Sequence, residues 1–90
     1  MGFVLINVII SRGPSGNFGL RYKGPEITFL TEGAPAEKTG QIEVGDKILV
    51  INGIHVPEEV STKEVTSLIG KSQKSVSITL QRKSTASQMS

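Results

Sequence analysis

Apolar residues alternate with polar ones along several short stretches of this chain, and in one place they recur at helical spacing. In Phe3-Val4-Leu5-Ile6-Asn7-Val8-Ile9-Ile10, one face takes Ile6, Val8 and Ile10 and the other takes Leu5, Asn7 and Ile9. Its β-branched content and the stop at Gly13-Pro14 predict a strand rather than a helix. A second strand is predicted over Phe18 to Lys23, a turn at Gly24-Pro25, and a third strand over Ile27 to Thr31. The short connection makes these two a hairpin. Gly33 to Gly40 reads as a short helix, with Pro35 in a first turn that needs no N–H and Gly40 at the C-terminal cap. Gln41 to Val44 leads into a turn at Gly45-Asp46, followed by the apolar strand Lys47 to Ile51. Asn52-Gly53 is a strong hairpin signal, with Ile54-His55-Val56 returning. Ser61 and Glu64 have capping-box spacing, and the helix they open carries Val65, Leu68 and Ile69 at helical intervals. Gly70 or Lys71-Ser72-Gln73 ends it. From Ser75 to Arg82, Val76, Ile78 and Leu80 point one way and Ser75, Ser77, Thr79 and Gln81 the other.

Strands outnumber helices and do not alternate regularly with them, which argues against a doubly wound sheet. The expectation is a small, mainly antiparallel β-sandwich or partly open barrel with two helices. Residues 1–83 form one domain in this reading, and the Ser-rich 84–90 a flexible tail. No internal repeat is visible.

Ninety residues suffice for one domain, which at this size buries about 60–65% of its unfolded surface. No apolar run reaches the roughly 18 residues of a membrane span. The apolar opening lacks the basic flank and small-residue cleavage site of a signal peptide. Met1-Gly2 precedes Ile6 where myristoylation wants Ser or Thr. Cysteine is absent, so neither disulfides nor thiolate zinc sites arise. A net charge of +2 with no basic run interleaved with aromatics gives no case for nucleic acid.

The richest local chemistry lies in Arg12-Gly13-Pro14-Ser15-Gly16-Asn17-Phe18-Gly19-Leu20-Arg21-Tyr22. Gly16 and Gly19 allow unusual dihedrals and close approach. Turning N–H groups in such a loop can form an anion-binding nest. With Arg12 before it and Phe18 and Leu20 beside it, the loop suits a carboxylate adjoining an apolar side chain. A plain inter-strand turn is the competing reading of these residues. The loop has neither the Gly-x-Gly-x-x-Gly of a dinucleotide site nor the Gly-Lys-Ser/Thr ending of a P-loop.

The predicted order of elements and these motifs resemble the PDZ domain family, over Val4 to Arg82. The match runs from the basic residue and Gly-rich loop entering Phe18-Gly19-Leu20, through Gly33-Ala34-Pro35-Ala36 and Gly40. It continues with Ile42-Glu43-Val44-Gly45-Asp46-Lys47-Ile48-Leu49 and Asn52-Gly53 to the last helix and strand. Many members carry Gly-Leu-Gly-Phe where this chain has Asn17-Phe18-Gly19-Leu20.

The resemblance implies a groove between the second strand and second helix, where a partner's C-terminal tail adds to the sheet. N–H groups of Phe18, Gly19 and Leu20 would take the terminal carboxylate, with Arg12 adding positive potential. Phe18, Leu20 and Ile69 would line the pocket for the last side chain, with Tyr22 further along. Thr62, Thr66 and Ile69 would face the groove from the helix, with Thr62 setting specificity where members that select Ser or Thr often carry histidine. His55, the one histidine, reads as an ordinary strand residue, and Arg21 and Lys23 would favour acidic residues upstream in the ligand. The implied partners are C-terminal peptides of membrane receptors, channels or signalling proteins. The implied setting is a monomeric, cofactor-free adaptor or scaffold domain in the cytoplasm, at the inner face of a membrane. Two alternatives stand beside this. Catalysis has thin support, with no evident nucleophile–base constellation. Weak contact with acidic lipid through Lys63, Lys71, Lys74, Arg82 and Lys83 competes with intermixed Glu58, Glu59 and Glu64, which favour a solvated surface; internal-motif binding is the remaining alternative.

Overall fold

β1 (Phe3–Ser11) pairs along its whole length with β6 (Ser75–Lys83), from Phe3↔Lys83 to Ser11↔Ser75 without a register shift. The structure is a computed structural model that describes residues 2–14 and 16–83; the expected tail, 84–90, lies outside these. The alternation read from the sequence sets the faces: Val8, Ile10, Val76, Ile78 and Leu80 are buried, while Leu5, Asn7 and Ile9 are exposed. On the other side of β6 lies β4 (Lys47–Ile51), and β5 (Ile54–His55) folds back on it. Asn52 and Gly53 make that turn with φ of 50° and 82°, the left-handed pair a tight hairpin requires. The Asn52 side chain also ties this turn to its surroundings. Its amide donates to Ser72 Oγ at 2.8 Å and accepts from Ser77 N–H at 2.9 Å.

β2 (Leu20–Lys23) and β3 (Glu26–Leu30) form the expected hairpin, and β3 joins β4 through Glu26↔Lys47. The sheet order is β1-β6-β4-β3-β2 with β5 beside β4, every pairing antiparallel. The fold is thus the expected open, mainly antiparallel sheet with two helices. β2 begins two residues later than the sequence predicts, because Gly19 at φ 81° interrupts the extended chain. The first helix narrows to α1 (Pro35–Lys38), with Thr39 as C-cap and Gly40 just beyond it at φ 69°. α2 (Thr62–Gly70) starts where Ser61 Oγ accepts the Glu64 N–H at 3.1 Å, and buries Val65 and Ile69. Each Ile, Leu or Val so buried contributes about 1.5–3 kcal/mol.

The alternation of apolar and polar residues gives no hint of one buried charge. Asp46 is 2% exposed and takes two hydrogen bonds from Arg82, Nε to Oδ1 at 2.8 Å and Nη2 to Oδ2 at 2.7 Å. It also accepts the Glu43 N–H at 2.9 Å, while Arg82 donates to Gln41 O. The bonds to Asp46 raise the Arg82 pKa above its ordinary value. This bidentate pair staples the 41–46 turn to β6. It also takes Arg82 out of the basic cluster that could contact lipid, since its guanidinium is spent on Asp46 and Glu43.

Candidate functional site

The loop entering β2 is fixed by its backbone before any side chain matters. Phe18 O accepts from Ala36 N–H at 2.9 Å and Gly19 O from Thr31 N–H at 2.8 Å, tying the loop to α1 and to the end of β3. Gly19 packs so tightly on the start of α1 that an added Cβ would lie 2.1 Å from the Ala34 Cβ. Both that contact and its positive φ demand glycine.

The carbonyls are therefore committed inward. Among the described residues, none accepts the N–H of Phe18 or Gly19. The N–H of Leu20 follows from register. Gly19 is bonded to Thr31, and Leu20↔Leu30 and Arg21↔Phe29 continue the same pairing. In an antiparallel ladder bonded pairs alternate with non-bonded ones, so Leu20 turns its N–H and C=O away from β3. β2 is a sheet edge, and Leu20 presents donor and acceptor to open space.

Beside this edge lies a groove of about 360 Å³ between β2 and α2. Phe18 and Ile69, 5% and 7% exposed, form its apolar floor, and half-buried Leu20 and Tyr22 its strand wall. Thr66 and Gly70 line it from α2, Gly19 and Arg21 from the strand side. Of the nine residues the sequence nominates, all but Thr62 meet here.

Three of them take positions the sequence could not specify. Arg12 lines the groove, but its guanidinium is spent on main-chain oxygens. It donates to Gln73 O and Ser72 O at 2.5 Å, to Gly16 O at 2.6 Å and to Gly70 O at 3.5 Å. It also sits 4.7 Å from the centre of the Phe18 ring, within cation–π range. Arg12 is a strut between the loop and the end of α2, rather than a cation free for a ligand. Thr62 does not line the groove; its hydroxyl accepts the Gly24 N–H at 2.7 Å, pinning the start of α2 to the β2–β3 turn. Tyr22 reaches across, its hydroxyl 2.9 Å from Thr66 Oγ1. Tyr22 and Thr66 thus bridge the groove from β2 to α2, a latch over its middle. Arg21 lies 6.0 Å from the Phe29 ring centre, stacked on its own sheet.

Thr31 and Gly70 also line the groove, beyond the residues the sequence nominates. Gly70 carries a signal as a helix-ending glycine beside Ile69. Thr31 carries none, since its place depends on the Gly19 bond.

A profile of the PDZ domain family matches residues 7–81. Together with the sheet order and the groove, this settles the class: the chain belongs to the PDZ domain family and is a protein-interaction module. It is 36% identical to human gamma-2-syntrophin over 82% of its own length. Human glutamate receptor-interacting protein 1 is 30% identical over 82% of the chain, and glutamate receptor-interacting protein 2 of Xenopus laevis 36% identical over 68%. The chain spans only 15%, 7% and 7% of those proteins.

Proposed function

We propose that this domain captures the C-terminal tail of a partner protein by adding it as a strand to the open edge of β2. One observation carries the reading: the outward N–H of Leu20 and the unspent N–H groups of Phe18 and Gly19 border the pocket of Phe18, Leu20 and Ile69. A terminal carboxylate meets donors there, each charge-assisted bond contributing about 1.5–3 kcal/mol. The last side chain enters the apolar floor, where burying Val, Leu or Ile contributes about 1.5–3 kcal/mol. After the cost of ordering the tail, such a site binds near the micromolar range, about −8 kcal/mol. These groups suit binding rather than catalysis.

The partners in this reading are tails of membrane receptors, channels or signalling proteins, brought together by a larger scaffold at the inner face of a membrane. The name of the glutamate receptor-interacting relatives points the same way. No helix among the described residues is long and apolar enough to cross a membrane. The test is selection from a random C-terminal peptide library, with each hit remade as its C-terminal amide. Loss of binding on amidation supports carboxylate capture. Hits indifferent to amidation, or binding only to acidic vesicles, overturn it.

A further inference from the structure

We propose that the open edge of β1 is a self-association surface, on which a second copy of this chain pairs its own β1 antiparallel about a two-fold axis. β1 is the edge opposite β2, so this surface is separate from the groove and does not rest on the tail-capture reading. Phe3, Leu5 and Ile9 stand on it 61%, 61% and 69% exposed. Such concentration of large apolar groups on one strand marks a contact surface.

The backbone makes the same residues available. The β1–β6 register holds across Arg12, whose N–H donates to Lys74 O at 2.9 Å. Even-numbered β1 residues are thus the ones bonded to β6, and Phe3, Leu5, Asn7, Ile9 and Ser11 direct N–H and C=O to the open edge. Ser77, opposite Ile9, agrees: its N–H and C=O go to Asn52 on the far side. Natural sheets block open edges with lysine, proline, bulges or a covering helix or loop; here α1 approaches β1, with Pro35 against Gly13 just past the strand's end. β1 has no charge, no proline and no register shift against β6.

A second copy is the occupant these facts select. Centred on Asn7, a two-fold pairing sets Leu5 against the copy's Ile9, Asn7 against its Asn7 and Phe3 against its Ser11. Every pair then joins residues whose backbone groups already face outward, and no charges meet. The apolar stripe is one strand wide, because the neighbouring β6 positions on that face are Ser75, Ser77, Thr79, Gln81 and Lys83. That width fits an incoming strand better than a lipid surface. The contact is small, at the weak end of protein interfaces, and corresponds to a dissociation constant of roughly 10–100 μM. In place of the monomer expected from the sequence stands a dimer whose two grooves lie at opposite ends of one continuous sheet.

Sedimentation equilibrium of the 90-residue chain from about 10 μM to 1 mM should show a monomer–dimer equilibrium. Ile9→Lys, at an exposed position, should remain folded by thermal melt and sediment as a monomer throughout. The chain has no cysteine, which allows a register test that needs no other change. Opposed bonded residues have Cα atoms about 5.5 Å apart, within disulfide reach. Under oxidised glutathione, Asn7→Cys should therefore cross-link at least about fivefold faster than Leu5→Cys, whose copies are offset. A monomer across the range, a dimer that survives Ile9→Lys, or equal cross-linking at the two positions overturns the proposal.

Discussion

Removing one hydroxyl separates the latch from the groove it covers. In Tyr22→Phe the ring remains in the strand wall, but the 2.9 Å bond to Thr66 Oγ1 is gone. A side-chain hydrogen bond contributes about 0.5–1.5 kcal/mol net, and the exposure of Thr66 places this one toward the lower half. The free domain should lose about 0.5–1 kcal/mol of stability, read by urea unfolding. Tail binding should move the other way. A strand added along β2 beyond Leu20 must part Tyr22 from Thr66, and the variant has nothing to part. The same energy then appears as affinity, about two- to fivefold tighter at 1.4 kcal/mol per factor of ten, measured by calorimetric titration with a tail peptide. Thr66→Val should give the same gain, and the double variant no more than either alone, because both remove one shared bond. Additive gains, or weaker binding in Tyr22→Phe, would refute the latch and assign the hydroxyl to the ligand instead.

Three other substitutions probe the supports of the site. Gly19→Ala combines left-handed strain with a Cβ 2.1 Å from Ala34 Cβ, and should cost about 2–5 kcal/mol in urea unfolding; a loss under about 1 kcal/mol would show that α1 yields freely. Asp46→Ala strands Arg82, but that side chain is 28% exposed and can turn to water, so the cost should be about 3 kcal/mol, at the low end for a broken buried pair. Unchanged stability would refute the staple. Thr62→Val leaves the Gly24 N–H without its acceptor and should cost about 1 kcal/mol while leaving the preference for the tail's third-from-last residue unchanged; a changed preference in the peptide library would restore Thr62 to the groove.

What could be read along the sequence was what the chain decides locally. The faces of β1 and β6 follow from alternation, the β4–β5 turn from Asn52-Gly53, and the start of α2 from Ser61. The candidate groove was legible as a set of residues, since Phe18, Leu20 and Ile69 needed only strand and helix periodicity beside a glycine loop. Their partners were not. Arg12 meets Ser72 across 60 positions, Thr62 meets Gly24 across 38 and Tyr22 meets Thr66 across 44. Nothing in local propensity distinguishes a threonine that faces a groove from one that holds a turn. The late start of β2 has the same origin: an apolar-Gly-apolar triplet reads as strand until Ala34, far along the chain, packs against the glycine and holds it at positive φ.

The Arg12 strut changes the electrical character of the groove mouth. A helix gathers a partial negative charge at its last carbonyls, equivalent to about half an elementary charge. α2 ends at this mouth with no basic residue in its last turn. Left alone, that pole would repel a carboxylate brought to Phe18, Gly19 and Leu20. Arg12, arriving from the end of β1, sets its guanidinium on the carbonyls of Gly70 and Ser72. It thereby sets against the pole a charge borrowed from another part of the chain, and a tail docked as proposed would meet amide donors instead of a helix's bare negative end.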